Sequence, residues 1–253
     1  MPKLYVISDI HSHYDEMKQA LDDVGFDSRN KNHWLIVCGD VWDRSNQSLE
    51  VWHYLRELPR KILIKGNHES LFQECCERGY PNVYDHSNGT FNTICQIGGL
   101  KYGRSFDECC IVAEQCTKDF LNSFVDYFET ENYVFVHGWL PVNCEDNLPA
   151  YYIKNRKFSK MENWREATYQ QWEDARWLNS FDMVQEGFGI DKCVIAGHWH
   201  SSYGRYMTEG APEFGEGADF SPFHYDNKLI MIDACTAYSG KVNVLVLEDN
   251  FLE

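Results

Sequence analysis

The sequence of 253 residues lacks long hydrophobic runs. No window approaches the roughly 18 consecutive apolar residues of a membrane span. The opening stretch, MPKLYVISDIHSH, also lacks the apolar core of a signal peptide, because polar residues follow after a few positions. Both absences argue against a membrane-embedded or exported protein, and we expect a soluble protein of the cytoplasm.

Basic residues are scarce. The chain has 23 Lys and Arg against 39 Asp and Glu, which gives a formal net charge of −16. Such a surface repels the phosphates of nucleic acids and the head groups of anionic membranes. We therefore expect no non-specific nucleic-acid binding and no membrane partner, while small phosphorylated substrates stay compatible with this charge if a local cation site overrides the average field.

The ten cysteines include no CxxC motif, and four of them form the adjacent pairs Cys75–Cys76 and Cys109–Cys110. A thiolate zinc site normally uses closely spaced CxxC pairs, and disulfide scaffolds are typical of short exported chains. Both kinds of site are disfavoured here, and we expect reduced thiols.

Several short apolar runs do stand out, and each ends in polar residues able to do chemistry: LYVISDIH, HWLIVCGD, KILIKGNHE, NYVFVHGW and KCVIAGHWH. Runs of this length and composition are typical of strands buried on both faces. Helix-like spacing over residues 14–24 and 47–58 lies between them. The order predicts an α/β protein whose polar clusters converge at the carboxyl ends of the strands.

No linker or fixed-period repeat divides the chain, and we expect one domain over residues 1–253. The tryptophan-rich segment at about 140–181 is predicted to be helical and is a candidate cap over the site, although aromatic residues at helical spacing are more often core. Residues 208–222 are predicted to form a loop. The final runs, KLIMIDAC and KVNVLVLED, resemble a hairpin or tight connection that finishes the sheet.

The polar residues at the strand ends share one chemistry, because all offer oxygen or imidazole nitrogen and none offers a thiolate. Such donors suit borderline or hard divalent ions such as Mn, Zn or Fe. Two ions roughly 3.5 to 4 Å apart can clamp a phosphoryl group and generate hydroxide near neutral pH. The residues concerned are Asp9, His11, Asp40, Asp43, Asn67, His68, His137, His198 and His200.

Five motifs occur in a fixed order: DIH, GDVWDR, GNHE, HG and GHWH. In this order they resemble the pattern of the calcineurin-like metallophosphoesterases, and the resemblance covers most of the chain. Taken singly, each motif has an ordinary interpretation as a polar turn, and only their combination favours a metal site. The resemblance implies an α/β fold in which a β-sandwich of mixed sheets is flanked by helices, in four layers αββα.

The resemblance further implies two divalent metal ions per chain. One ion would be held by Asp9, His11 and His200, the other by Asn67, His137 and His198, and Asp40 would bridge them. Alternate residues of an extended segment point to the same side, so two histidines separated by Trp199 can address neighbouring ions. We expect Gly197 to let the backbone approach closely.

The same resemblance assigns His68 as the acid that protonates the leaving group, with Asp43 orienting it. Arg44 offers a planar fork of donors to phosphoryl oxygens. A second phosphate-binding arginine is expected, and Arg176 in WEDARWL is the candidate.

The GDxxDR and GNHE motifs resemble the phosphoprotein phosphatase branch, which includes serine/threonine phosphatases and diadenosine tetraphosphatases. Ser12 stands where those enzymes usually have glycine. The first hypothesis is hydrolysis of phosphoserine or phosphothreonine by in-line attack of a metal-bridging hydroxide. The alternative is hydrolysis of dinucleoside polyphosphates or phosphodiesters. A remote alternative is an inactive, metal-organised binding scaffold, which would not need His68, Asp43 and Arg44.

Overall fold

The computed structural model describes residues 1–144 and 157–252. The described strands are β1 (Lys3–Ile7), β2 (His33–Cys38), β3 (Lys61–Ile64), β4 (Phe124–Val125), β5 (Phe128–Glu129), β6 (Tyr133–Val136), β7 (Val142–Cys144), β8 (Phe158–Lys160), β9 (Cys193–His200), β10 (Phe223–Tyr225), β11 (Leu229–Asp233) and β12 (Leu245–Glu248).

The described α-helices are α1 (Tyr14–Asp23), α2 (Ser48–Glu57), α3 (Asn67–Arg78), α4 (Val83–Asn88), α5 (Thr90–Gly98), α6 (Phe106–Leu121), α7 (Tyr169–Ala175), α8 (Ser180–Gln185), α9 (Ser201–Glu209) and α10 (Thr236–Ser239). The first two confirm the helices predicted over residues 14–24 and 47–58. None of the helices in the described ranges is long and apolar enough to cross a bilayer.

The strands form two mixed sheets of five strands each. The first has the order β12-β1-β2-β3-β4, in which β1 to β4 run parallel and β12 pairs antiparallel with β1. The second has the order β10-β11-β9-β6-β5, in which the central three strands are parallel and the two outer ones antiparallel. Strands β7 and β8 form a separate hairpin.

Alternating side chains build the layers. In β1, Leu4 and Val6 pack against the second sheet, while Tyr5 and Ile7 pack against helices α1 and α2. In β9, Ile195 packs between the sheets, and its neighbours face the cluster that contains buried residues of α7 and α8. Successive side chains of a strand point to opposite faces of the sheet, and here both faces are apolar. Each sheet therefore needs other elements packed on both of its faces. The predicted αββα sandwich is therefore confirmed.

The register of the strands places their carboxyl ends together. Ile7 pairs with Val37 in the first sheet, and Val136 pairs with Ala196 in the second. Because parallel strands end at the same edge, the loops after β1, β2, β3, β6 and β9 converge there. Most of the predicted site residues lie in these loops or at the first turn of α3, whereas His198 and His200 are among the last residues of β9 and Arg176 follows α7.

The prediction for the final two runs is wrong. Strand β11 belongs to the second sheet and pairs with β9, whereas β12 belongs to the first sheet and pairs with β1. The segment that contains α10 crosses between the sheets instead of forming a hairpin. An alternating apolar pattern marks a strand but carries no information about which sheet accepts it.

The tryptophan-rich segment is mixed in structure. Trp164 and Trp172 are buried in the core beneath the second sheet, where Trp172 stacks on Tyr127 with ring centroids 5.3 Å apart. These two rings are core, whereas Trp177 lines the pocket described below. The part of the predicted cap at residues 145–156 lies outside the described residues, and the cap stays a prediction. All ten cysteines are free thiols.

Candidate metal centre

The loops that carry the site have an unusual backbone. A left-handed conformation, with φ between 48° and 74°, occurs at six predicted site residues: Asp9, His11, Asp40, Asp43, Arg44 and His198. Asp, Asn and His tolerate this conformation better than other non-glycine residues, although it still costs energy. Such concentration of unfavourable backbone at one place indicates that the surrounding structure holds these side chains in position.

The buried carboxylate of Glu69 fixes two of these loops to each other. It accepts hydrogen bonds from the amides of Asp40 at 3.0 Å, Val41 at 2.9 Å and Gly66 at 2.8 Å. A Cβ atom added at Gly66 would lie 2.2 Å from Oδ1 of Asp40, so only glycine fits there. Asn67, at the start of α3, is thereby held beside Asp40.

Two histidines present the same nitrogen to the site. The Nδ1–H group of His11 donates to the carbonyl of Trp42 at 3.0 Å, and that of His137 donates to the carbonyl of Cys38 at 2.8 Å. A neutral imidazole that donates from Nδ1 carries its lone pair on Nε2. Histidines that ligate metals are oriented by the same kind of backbone hydrogen bond.

The donor atoms around His137 fit a cation. Its Nε2 lies 2.8 Å from Oδ1 of Asn67 and 3.4 Å from Oδ1 of Asp40. Burial and the neighbouring His198 hold the pKa of His137 well below its usual range, so the ring is neutral near pH 7. Lone pairs of three acceptor atoms then face one another, an arrangement that a divalent ion would stabilise.

Asp40 is shared by two groups of side chains whose ligand atoms lie within 4.8 Å of one another. One group consists of His11, Asp40 and His68, and the other of Asp40, His137 and His198. A carboxylate common to two such groups stands where a bridging ligand would stand. The role of Asp40 as the bridging ligand stays a prediction.

The electrostatics of the site also favour cations. Burial raises the pKa of Asp9, further raised by Asp233, and burial raises the pKa of Asp40, further raised by Asp9. Burial lowers the pKa of His198 to about 4. The carboxylates thus lack compensating positive charge from His11, His137 and His198, because the lowered pKa of each of these imidazoles leaves it neutral at pH 7. Bound divalent ions would provide that charge.

Asp9 lies at the junction of the two sheets. Its carboxylate accepts the amide hydrogen of His198 at 3.0 Å. A Cβ atom added at Gly197 would lie 2.4 Å from Oδ2 of Asp9, which agrees with the close approach expected at this glycine. Asp9 and His200 both line the pocket, but neither belongs to the two groups around Asp40 that the described residues form.

The ring of His200 has partners of its own. Its Nδ1 lies 2.9 Å from Oγ of Ser202, and its Nε2 lies 3.3 Å from the carboxylate of Glu213. Burial lowers the pKa of His200. The predicted role of His200 as a ligand beside Asp9 and His11 stays a prediction.

His68 and Asp43 form a buried pair. The Nδ1–H group of His68 donates to Oδ2 of Asp43 at 2.7 Å, while Nε2 lies 3.9 Å from Asp40. The Asp43 carboxylate also accepts hydrogen bonds from the hydroxyl groups of Thr90 at 2.6 Å and Thr93 at 2.8 Å, both from α5. These threonines were not predicted from the sequence, and they restrict the carboxylate that orients His68.

The two predicted phosphate-binding arginines have different surroundings. Arg44 is exposed and lines the pocket. Arg176 is buried and does not line it, and its guanidinium pairs with Asp126 at 2.5 Å and with Glu173. Arg176 follows the last residue of α7, and its side chain points toward these carboxylates. The spacing of residues in the sequence does not predict this direction. Its role in binding phosphate stays a prediction.

Eight of the predicted site residues line one pocket of about 420 Å³: Asp9, His11, Asp40, Arg44, Asn67, His68, His198 and His200. The calcineurin-like phosphoesterase family profile matches residues 2–229 of the chain. The chain belongs to the calcineurin-like phosphoesterases. Its relatives in this family include a symmetrical bis(5′-nucleosyl)-tetraphosphatase of Hamiltonella defensa, 39% identical over 66 residues, or 26% of this chain and 23% of that protein. Serine/threonine-protein phosphatase 2 of Escherichia coli is 35% identical over 86 residues, or 34% of this chain and 38% of that protein.

Solved structures of two phosphatases share the fold of this calcineurin-like phosphoesterase. A cold-active protein-tyrosine phosphatase of a Shewanella species aligns with a TM-score of 0.55 at 15% identity, over 98% of this chain and 76% of that one. A serine/threonine phosphatase of Saccharomyces cerevisiae aligns with a TM-score of 0.50 at 14% identity, over 100% and 81%. At these identities the likeness concerns the fold.

The pocket of this calcineurin-like phosphoesterase includes residues that sequence reasoning missed. Asp233 is 6% exposed and pairs in register with His200, and burial raises its pKa to about 7. Asp233 ends the apolar run KLIMID. The sequence therefore carried the same pattern here as at Asp9 and Asp40, a carboxylate at the end of a short apolar run. Asn88, Trp177 and Tyr238 also line the pocket, but they follow no motif.

Proposed function

We propose that this chain is a metal-dependent phosphoesterase that uses two divalent ions, of Mn, Zn or Fe, to hydrolyse a phosphate ester. The observation that carries the proposal is the position of Asp40 in both groups of ligand atoms. When bound, such ions neutralise the charge of the phosphoryl group and supply a nucleophilic water near neutral pH. Asp9, His11 and His200 are the proposed ligands on one side, and Asn67, His137 and His198 on the other.

The protein side chains would hold the substrate and move the proton. Arg44, exposed on the pocket wall, would bind phosphoryl oxygens through its planar fork of donors. His68 would donate a proton from Nε2 to the departing oxygen, because its Nδ1 is already engaged by Asp43.

Two substrate classes fit this chemistry. Phosphoserine or phosphothreonine is the first candidate from the sequence, and a relative named as a serine/threonine-protein phosphatase supports it. Dinucleoside polyphosphates are the second, and they are supported equally by relatives named as bis(5′-nucleosyl)-tetraphosphatases. The phosphorus chemistry is the same for both, so the site residues named above do not choose between them.

The test begins with metal content and with hydrolysis of p-nitrophenyl phosphate after the protein has been stripped of metal. Mn, Zn, Fe or Mg is then added back singly. About two bound ions per chain and metal-dependent turnover are expected. Full metal loading without turnover under any of these ions would contradict the proposal and revive the inactive scaffold. Active protein is then assayed side by side on a phosphopeptide, diadenosine tetraphosphate and a bis-aryl phosphodiester.

A further inference from the structure

Three aromatic side chains lie together beside the pocket and have no role in the chemistry above. We call Phe214, Phe220 and Tyr238 the aromatic rim. The Phe214 and Tyr238 rings lie 5.3 Å apart, the Phe220 and Tyr238 rings 5.7 Å apart, and the two phenylalanines 6.2 Å apart. Tyr238 itself lines the pocket.

The aromatic rim is open to solvent. Tyr238 is 58% exposed and Phe214 is 46% exposed. Rings that only fill space beneath a loop would be buried, because leaving apolar surface in water forfeits the gain from burial. A cluster of exposed rings beside a polar pocket is instead typical of a surface that receives an apolar ligand group.

The loop that carries Phe214 and Phe220 is held by hydrogen bonds and an ion pair over residues 215–222. The amide of Gly215 donates to Oη of Tyr238 at 3.1 Å, and Nδ2 of Asn243 donates to the carbonyl of Phe220 at 2.6 Å. Arg205 pairs with Asp219 at 3.1 Å and donates to the carbonyls of Ser221 and Pro222. Fixed rings lose little conformational entropy when a ligand binds.

The rings lie one layer outside the proposed ligands. The centroids of the Phe214 and Phe220 rings are 4.8 Å and 6.2 Å from that of the His200 imidazole, and the Tyr238 ring lies against both phenylalanines. A ring bonded directly to the phosphate oxygen, as in phosphotyrosine, would lie in the ligand layer itself. A nucleobase is separated from its 5′-phosphate by the ribose, so it would reach the outer layer.

We propose that the aromatic rim is a subsite that stacks on the nucleobase of a nucleoside 5′-phosphate or polyphosphate. This inference rests on the proposed phosphoesterase function and names the substrate class for that site. Each base stacked on an aromatic side chain contributes about 1–3 kcal/mol. At 1.4 kcal/mol per factor of ten, one such contact corresponds to about a 5- to 150-fold gain in affinity.

The experiment compares adenosine 5′-monophosphate with ribose 5-phosphate as competitors of p-nitrophenyl phosphate hydrolysis. The two compounds carry the same phosphate on the same sugar oxygen and differ only in adenine. We expect the nucleotide to have a Ki at least about fivefold lower in the unmodified protein. Phe214→Leu and Tyr238→Leu are expected to bring the ratio of the two Ki values close to one.

Two matched controls separate stacking from general damage. Tyr238→Phe keeps the ring and loses only the hydroxyl group that accepts from Gly215, so it should retain the ratio. Tyr102→Leu removes an exposed ring outside the pocket and should also retain the ratio. Absence of p-nitrophenyl phosphate hydrolysis with every metal would contradict the phosphoesterase function itself.

Equal Ki values in an active enzyme would overturn the nucleobase subsite alone. Phosphotyrosine and phosphoserine form a second pair of competitors. The protein could prefer phosphotyrosine, lose that preference in Phe214→Leu, and give equal Ki values for the nucleotide and ribose 5-phosphate. This result would show that the aromatic rim binds the ring of phosphotyrosine and not a nucleobase, and it would also overturn the proposal.

Discussion

The imidazole of His68 and the carboxylate of Asp43 form a hydrogen bond of 2.7 Å with both side chains almost fully buried. The carboxylate fixes the ring so that only Nε2 is available to the pocket. A group held in this way can protonate a leaving oxygen without reorganising. The pair therefore joins the second strand loop, which carries Asp43, to the first turn of α3, which carries His68.

Replacing His68 by asparagine is expected to keep metal binding and to lower kcat by about 10²- to 10⁴-fold on an alkyl phosphate, whose leaving group needs a proton. On p-nitrophenyl phosphate the loss should be much smaller. Metal content and kcat on both substrates are measured for His68→Asn and for the control His53→Asn, which changes an exposed helix residue. Unimpaired hydrolysis of the alkyl phosphate would rule out His68 as the acid.

The threonines that hold Asp43 give a second prediction. Thr90→Val and Thr93→Val remove hydroxyl groups that donate to the carboxylate, so the Asp43 side chain gains freedom to rotate. We expect kcat to fall about tenfold or more, since one lost hydrogen bond to a charged group is worth about 1.5–3 kcal/mol. KM should change little. Thr117→Val, at a buried threonine of α6, is the matched control.

Glu69 gives a prediction about stability. Glu69→Gln replaces an acceptor oxygen by an amide group that donates, and it faces the amides of Asp40, Val41 and Gly66. The free energy of unfolding, measured with urea, should fall by about 1–3 kcal/mol. Glu77→Gln, on the exposed face of the same helix, should leave it unchanged. An equal effect in both variants would refute the bracing role of Glu69.

Gly197 tests the packing between the sheets. In Gly197→Ala the new methyl group would meet the Asp9 carboxylate and the Ser8 side chain at less than normal contact distance, so Asp9 must move. We expect weaker metal binding, measured by titration of the stripped protein. Gly189→Ala is the control, because the space around Gly189 is open. Unchanged affinity in Gly197→Ala would mean that the position of Asp9 does not matter for binding.

Metal removal should lower thermal stability, because the proposed ions would bind the folded chain and link residues from both sheets. At a free concentration one hundred times the dissociation constant, a single ion adds about 2.7 kcal/mol. The rise in Tm on adding Mn to metal-free protein is measured for the unmodified protein and for two variants. The rise should be smaller in His137→Ala. It should be unchanged in His224→Ala, the control at an exposed residue. The same rise in all three proteins would contradict this assignment.

Most of the fold and the centre of the site could be predicted from the sequence. Strands β1, β2, β3, β6 and β9 are short apolar runs, and chemically capable residues stand at or just beyond the end of each, as at Asp9 and Asp40. Such local patterns predict where the site lies, because parallel strands bring the residues at their carboxyl ends to one edge of the sheet.

What the sequence did not reveal depends on long-range packing. The sheet that accepts β12, the side toward which Arg176 turns, and the threonines behind Asp43 are all decided by contacts between distant segments. The aromatic rim comes from a loop and α10, which follow no period. Asp233 is the exception, since its strand carried the same signal as the others.

The left-handed backbone of the site loops bears on how this chain can change by mutation. Each such residue costs about 1–3 kcal/mol that glycine would not cost. Ser12 and Cys235, with φ of 60° and 51°, share this conformation without being proposed ligands. A related chain that did not need these side chains could carry glycine at the strained positions and would be more stable. Retention of the unfavourable residues therefore implies selection for what their side chains do and not for stability.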